Sequence, residues 1–286
     1  MKTIKNGLVL ALCCCALLLH GQSHKETIKK ELKFKTNSSE NLLVVDNVYG
    51  SIEVEGYSGS TIKIEAVKSI DAYNNRALEQ AKQEIDVRVE EVDNYVYVFL
   101  NTPYTRFNRE TGRYSHHENN SRRNYRYTLD FKIWVPRTTN VELKAVNNGG
   151  IKVTNVHANE LVVNNINGPI TLDNVSGKTH ANALNRDINI SYKTKPADGS
   201  SFKSLNGNIN IDIKEELDAD VSFKTLNGGF YTNMNTSSLK PLTSADKQRR
   251  SNGAKYKVNA KQRFRIGKGG AKLSFDLLNG DATIKI

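Results

Sequence analysis

Polar and apolar residues alternate in short runs along most of the chain, and the runs restart at an Asn-Gly step. In LNGNINIDI (205–213), Ile209, Ile211 and Ile213 alternate with Asn208, Asn210 and Asp212. That is a β-strand with one apolar and one polar face. Related runs are NGGIKVTNV (148–156), NGPITLDNVSG (167–177), LNGGFYTNM (226–234) and LNGDATIKI (278–286). The apolar residues after each corner are Ile151, Ile170, Ile188, Ile209, Phe230 and Ala282, at intervals of 19, 18, 21, 21 and 52 residues. The matches reach upstream as SFKSLNG (201–207), SFKTLNG (222–228) and SFDLLNG (274–280), with a weaker relative, NVYGSIEVEG, at 47–56.

A period near 20 predicts a stack of coils. The equivalent strand returns a full period later, so the pattern predicts an all-β fold, a parallel β-helix or β-solenoid with rungs about 4.8 Å apart. Asn148, Asn167, Asn185, Asn206, Asn227 and Asn279 are then expected to form an amide ladder. Gly168, Gly207, Gly228 and Gly280 are expected to turn each corner through a positive φ. Arg186 replaces glycine in one copy. The last copy, ATIKI, reads as a terminal rung whose open edge could join subunits.

Three segments interrupt the period. SIDAYNNRALEQAKQEI carries Ala77, Leu78, Ala81 and Ile85 on one face, which predicts a helix over about 71–85 capped by Ser69 or Asp71. Insertions occupy about 101–127 and 235–272. The expected organisation is a signal peptide at 1–21, a lead-in at 22–41 and one solenoid domain over 42–286.

The leader reading rests on Lys2 and Lys5 followed by a 12-residue apolar run, Leu8–Leu19, too short to span a bilayer. Cys13, Cys14 and Cys15 all fall there, so the mature chain carries no thiol, disulfide or cysteine-based metal site. A lipid anchor would need a small residue before the first cysteine, where Leu12 stands. The expected destination is outside the cytoplasm: periplasm, outer-membrane surface or extracellular space.

DFKIWVP, then VELKAVNNGGIKVTNV, then the NG-x-I-x-h-x-NV-x-G units resemble the bacterial "putative adhesin" domain family of unknown function. That family is related to the head GIN adhesin-like domains. The resemblance covers most of 42–286 and is strongest over 127–234. It implies an envelope-associated β-solenoid and brings no catalytic residues with it.

Charge changes the picture. The formal net charge is +11, or +9 without the two leader lysines. Residues 240–272 hold eleven basic residues against Asp246, and 101–127 hold six against Glu110 and Glu118. These segments therefore carry +10 and +4, leaving −5 for the rest of the mature chain. Candidate anion contacts are Arg106, Arg109, Arg113, Arg122, Arg123 and Arg126, with Tyr114 and Tyr125, in the first insertion. In the second they are Lys247, Arg249, Arg250, Lys261, Arg263 and Arg265. Arginine grips carboxylate, sulfate or phosphate, and tyrosine stacks on sugar faces. A solvated charged loop is the competing reading of both segments.

No phosphate-binding glycine loop or calcium nonapeptide is present in the sequence, and His116-His117-Glu118 lacks a second ligand pair at metal spacing. His157 and His180 are expected to stack about one rung apart. A polysaccharide-active enzyme would need paired carboxylates, for which Asp173, Asp187 and Asp212 are the nearest set. The expectation is a non-enzymatic, adhesin-like binding or structural protein without a cofactor. Its partner would be an anionic glycan, lipopolysaccharide or envelope protein, not a specific nucleic acid. The alternative is a periplasmic structural or envelope-stress accessory working through protein contacts.

Overall fold

The computed structural model describes residues 21–111, 113–116, 123–234, 240–241 and 262–286. The expected leader lies outside the described residues except for Gly21. From the N-terminal side, β1 (Gln22–Leu32), β2 (Leu42–Tyr49), β3 (Ile52–Tyr57) and β4 (Ile62–Ala72) precede helix α1 (Asn75–Glu84). Two hairpins follow, β5 (Asp86–Val92) with β6 (Tyr95–Asn101), and β7 (Thr105–Asn108) with β8 (Arg113–His116). Next come β9 (Tyr125–Pro136), β10 (Asn140–Asn147), β11 (Ile151–Thr154), β12 (His157–Asn165) and β13 (Ile170–Ala183). The repeats continue through β14 (Ile188–Tyr192), β15 (Ser201–Asn206), β16 (Ile209–Ile213), β17 (Ala219–Lys224) and β18 (Phe230–Thr232). The described chain closes with β19 (Lys240–Pro241), β20 (Gln262–Ile266), β21 (Ala271–Asn279) and β22 (Ala282–Lys285).

The fold is mostly β and solenoid-like. One face runs β1–β4–β9–β3–β11–β13–β14–β16–β22–β18. The other runs β5–β6–β2–β10–β12–β13–β15–β21–β17–β20–β19. Strand β13 passes round the bend and belongs to both, so the two faces form one connected 20-stranded sheet. Pairing is parallel in the interior, where Ile52, Ile151, Ile170, Ile188, Ile209 and Ala282 lie over one another. Opposite them stands the column Val45, Leu143, Val163, Ala181, Phe202, Phe275 and Phe223. Both columns are buried, and each large aliphatic taken from water contributes roughly 2 kcal/mol.

Parallel stacking reaches the end of the first face at β18 but not the other three ends. Strands β1, β4 and β9 are antiparallel, as are β5 with β6 and β17 with β20. The lead-in is thus an 11-residue strand of the sheet. Helix α1 starts later than its periodicity suggests. Ser69 and Asp71 lie in β4, and the cap is Asn74, whose side chain accepts the Ala77 N–H at 2.8 Å. At the other end of α1, buried Lys68 donates to the Ile85 carbonyl at 2.8 Å and pairs with Glu26 of β1. One ammonium thereby ties helix, edge strand and β4 together.

The last repeat is not the last rung. β22 lies between β16 and β18, and β21 between β15 and β17. The edge expected at ATIKI is therefore already paired on both sides. On the second face, the antiparallel β20 covers β17.

The amide ladder is continuous and in spatial order. Asn167 donates to Asn147 at 2.8 Å, Asn185 to Asn167 at 2.9 Å and Asn206 to Asn185 at 3.2 Å. Asn279 then donates to Asn206 and Asn227 to Asn279, both at 2.8 Å. Its first member is Asn147, not Asn148, which takes the left-handed φ of 63° instead. Glycine is needed at the corner mainly for closeness. A Cβ on Gly168 would fall 1.9 Å from the Gly149 carbonyl oxygen, although the φ of Gly168 is not positive. At Gly228 and Gly280 both reasons hold, with φ of 150° and 142°.

Candidate binding cleft

At the N-terminal end of the second face, strand alternation turns an unusual set of residues outward. Tyr95, Tyr97 and Phe99 of β6 register with Leu42, Val44 and Asp46 of β2. These in turn register with Asn140, Glu142 and Lys144 of β10. The β7–β8 hairpin folds over this patch. Phe107 packs against Tyr97 and Phe99 at ring separations of 5.0 and 4.9 Å, and Tyr114 against Phe99 at 5.1 Å. The hairpin is also held by charge, because Arg109 pairs with Glu90 of β5, which accepts from Arg88 at 2.5 Å. Glu90 is buried, and the paired guanidinium groups offset its desolvation.

Between hairpin and sheet lies a cleft of about 300 Å³, lined by Tyr95, Tyr97, Asp46, Arg113, Tyr114 and Lys144 among others. A second hollow of about 430 Å³ continues across the rungs past Glu40, Asn140, Asn159 and Glu160. Leu42, Tyr95 and Glu142 border both, so the two hollows adjoin along the sheet and together are called the groove. Burial pushes the Asp46 carboxyl up to about 6; Lys144 opposes the rise and Glu142 adds to it. Burial presses the Lys144 ammonium down, but its hydrogen bond to Glu142 and the charges of Glu142 and Asp46 outweigh this and raise it. Lys144 and Glu142 are 2.9 Å apart. Burial likewise raises the Tyr97 phenol. The groove thus offers aromatic faces, a matched ion pair and one carboxyl that changes charge near neutrality.

The two basic insertions are not brought together. Their described parts stand at opposite ends of the second face, one over β6 and the other at β20. In the first, Arg113 and Tyr114 line the cleft, while Arg109 is held by Glu90. Arg106 is exposed on β7, and Arg126 on β9 registers with Asp71. Arg123 lies over the rings of Tyr104 and Tyr125 at 4.9 and 5.8 Å. Tyr125 is buried and donates to Glu84 of α1 at 2.5 Å; burial first and that bond second raise its phenol. In the second insertion, Arg265 forks onto Asp220 at 2.7 and 3.1 Å and fixes β20 on β17. Arg263 is exposed. Arg122, Lys247, Arg249, Arg250 and Lys261 lie outside the described residues.

The three carboxylates considered for hydrolysis occupy different settings. Asp212 registers with Ser191, and Asp187 accepts the Asn208 N–H at 2.7 Å. His157 registers with Ser176, whereas His180 registers with Val162 and Ser201, so the two rings do not stack. Among the described residues, no group of three His, Cys, Asp or Glu is arranged to hold a metal ion. Tyr95, Tyr97, Asp46, Glu142 and Lys144 escaped the sequence analysis. Their signal was NYVYVFL, where the outward positions of a strand are aromatic instead of polar.

A family profile described as Toastrack DUF4097 matches residues 25–266. The chain belongs to this family. The matched region of this Toastrack chain contains the whole groove and the β20 cap. No curated protein matches the chain. Among solved structures it is similar to a "putative cell adhesion protein" from Clostridium sporogenes, with 11% identity over 92% of this chain and 99% of that one, at a TM-score of 0.44. A "putative adhesin" from Bacteroides fragilis is 12% identical over 91% and 96%, at 0.31. A "putative lipid binding protein" from Parabacteroides distasonis is 11% identical over the same shares, at 0.25. Likeness at these scores says nothing of what this chain binds.

Proposed function

We propose that this chain is an exported, non-enzymatic, adhesin-like protein of the cell envelope, and that it holds a surface glycan in the groove beneath the β7–β8 hairpin. The observation that carries the reading is the outward row Tyr95–Tyr97, stacked at 6.0 Å and 20°, beside a mixed set of charged hydrogen-bonding groups. Tyrosine faces pack on the C–H face of a sugar, while Glu142, Lys144 and Asp46 address its hydroxyls. Arg113 would take a carboxylate or sulfate on an acidic sugar. The groove crosses several rungs, which suits a linear polymer. Export rests on the basic and apolar N-terminal leader.

The test is retention on immobilised polygalacturonate, with dextran as the neutral comparison. Tyr97→Ala should weaken binding about tenfold on any polymer that binds. Arg113→Ala should weaken only the acidic polymer and flatten its salt dependence. Undiminished retention of both polymers by Tyr97→Ala would discard the groove as the site. Deleting 242–261 provides a further arm, because it leaves β20 and the core strand β21 in place. If that deletion alone abolished retention, the second basic segment would be the contact instead.

A further inference from the structure

Five large aliphatic side chains stand in solvent in a single row. Ile166, Leu184, Leu205, Leu278 and Leu226 are between 37% and 47% exposed. Each immediately precedes a ladder asparagine. The pairing holds them in line: Leu226 N–H donates to the Leu278 carbonyl at 3.2 Å, and Asn206 registers with Asn279. Ala183 over Ser204 places Leu184 next to Leu205 in the same way. The row is one side chain wide and roughly 19 Å long at about 4.8 Å per rung. A shallow hollow of about 330 Å³ follows it, bordered by Lys203, Lys224 and Asp276. The inward neighbours Ala183, Ser204 and Leu277 already fill the interior at this corner. Register alone aligns these positions, but folding does not require large apolar groups there, and a contiguous row differs from the singly scattered surface leucines of an ordinary monomer.

The charges beside the row are mainly basic. Arg186, Lys203 and Lys224 each lie two residues from a leucine of the row, against Asp276 beside Leu278. The Asp276 carboxylate pairs with the half-exposed Lys224 at 3.7 Å. Asp187 and Asp281 are turned to the backbone N–H groups of Asn208 and Gly229. We infer that this edge is a membrane-contact surface, whose leucines enter the interface of an anionic phospholipid layer while Lys203, Lys224 and Arg186 reach its phosphates. Apolar area plus basic flanks is the combination that drives reversible interfacial binding. Lysine stems can lie along the row with their ammonium groups raised to the headgroups. A second copy fits less well on two counts. A ridge one side chain wide buries far less than the ~800 Å² per partner of a stable interface, and two such ridges would bring like charges together. A lipid surface needs no shaped counterpart and attracts those charges.

Flotation of the mature chain, residues 22–286, with vesicles of phosphatidylglycerol and phosphatidylethanolamine tests this, with phosphatidylcholine vesicles as the uncharged comparison. The protein should float with the anionic vesicles and much less with the neutral ones. Leu205→Ser with Leu278→Ser should lower the partition about tenfold or more while leaving the urea midpoint unchanged. Lys203→Gln with Lys224→Gln should lower it only on anionic vesicles. Ile166→Ser with Leu184→Ser repeats the leucine test should the first pair disturb folding. The inference falls if the unaltered chain stays unbound, or if both leucine variants float as well as it does, which would leave the basic segments as the cause. It falls equally if sedimentation shows a dimer that the leucine changes abolish and no flotation occurs.

Discussion

The middle of the stack and its N-terminal end are built from the same strands by different rules. From β10 to β16, the columns beside the corner repeat one residue type, so Ile lies on Ile and Asn on Asn. Backbone repetition dictates what can stand there, and the corners at Gly168 and Gly207 have no room for a Cβ, although Arg186 is accepted at the corner between them. Around β5 to β9 the pairing turns antiparallel, the outward columns become aromatic and charged, and a hairpin closes over them. There individual side chains hold the structure. The difference teaches that stability and recognition occupy separate regions here: regularity supplies a stiff platform, and the departure from it supplies the groove.

The sharpest way to break the contrast is at a corner of the middle. Gly168→Ala would drive a methyl into the Gly149 carbonyl and should cost about 3 kcal/mol or more in urea unfolding. Gly150→Ala, whose nearest neighbour is a Pro169 ring carbon at 3.2 Å, should cost far less. A smaller cost for Gly168→Ala than for Gly150→Ala would remove the claim that stacking dictates the corner.

Asp46 gives the next effect, and its sign is specific. The folded protein keeps this proton up to about pH 6, while an unfolded chain gives it up near 3.8. Between those values the folded state binds more protons, so the Asp46 contribution to stability declines as pH rises from about 4 to about 6. Asp46→Asn should therefore match the parent at pH 4 and exceed it by roughly 1–2 kcal/mol at pH 7.5, after allowing for solvent screening of a half-buried group. A gain that is equal at both pH values would refute the titration.

Within the ladder, Asn206 is bonded on both sides, whereas Asn227 ends the row of described amides. Replacement by alanine should cost about 1 kcal/mol at 206 and about half that at 227. The smallest global effect belongs to the groove end. Glu90→Gln should weaken the hold of Arg88 and Arg109 on the hairpin. Hydrogen exchange across 105–116 should then quicken several-fold while the middle of the stack stays protected. Faster exchange throughout would show that the two regions are not separable.

Much of the middle was legible because a period-two pattern repeated every 20 residues leaves few ways to bury its apolar face. Ile151, Ile170, Ile188 and Ile209 fall in register as their spacing suggests. The ladder was legible too, apart from the choice between the adjacent Asn147 and Asn148. Glycine at the corners was visible, but its reason was not. Closeness between rungs is a property of two segments, and no single copy of the repeat displays it. The candidate site was scarcely legible. Of the five described arginines in the first insertion, only Arg113 lines the cleft, because pairing of Arg109 depends on a glutamate 19 residues away on another strand.

By itself, then, the sequence determined the kind of unit: a coil with an apolar interior and an asparagine-glycine corner. Local alternation and residue size are enough for that. Only the tertiary structure decided the order of units and their ends. SFKSLNG, SFKTLNG and SFDLLNG offer nearly identical edges, so strand chemistry cannot rank which lies beside which. The third enters between the other two, and an antiparallel strand closes the stack behind them. The groove is decided in the same way, by which outward faces the finished stack places under one hairpin.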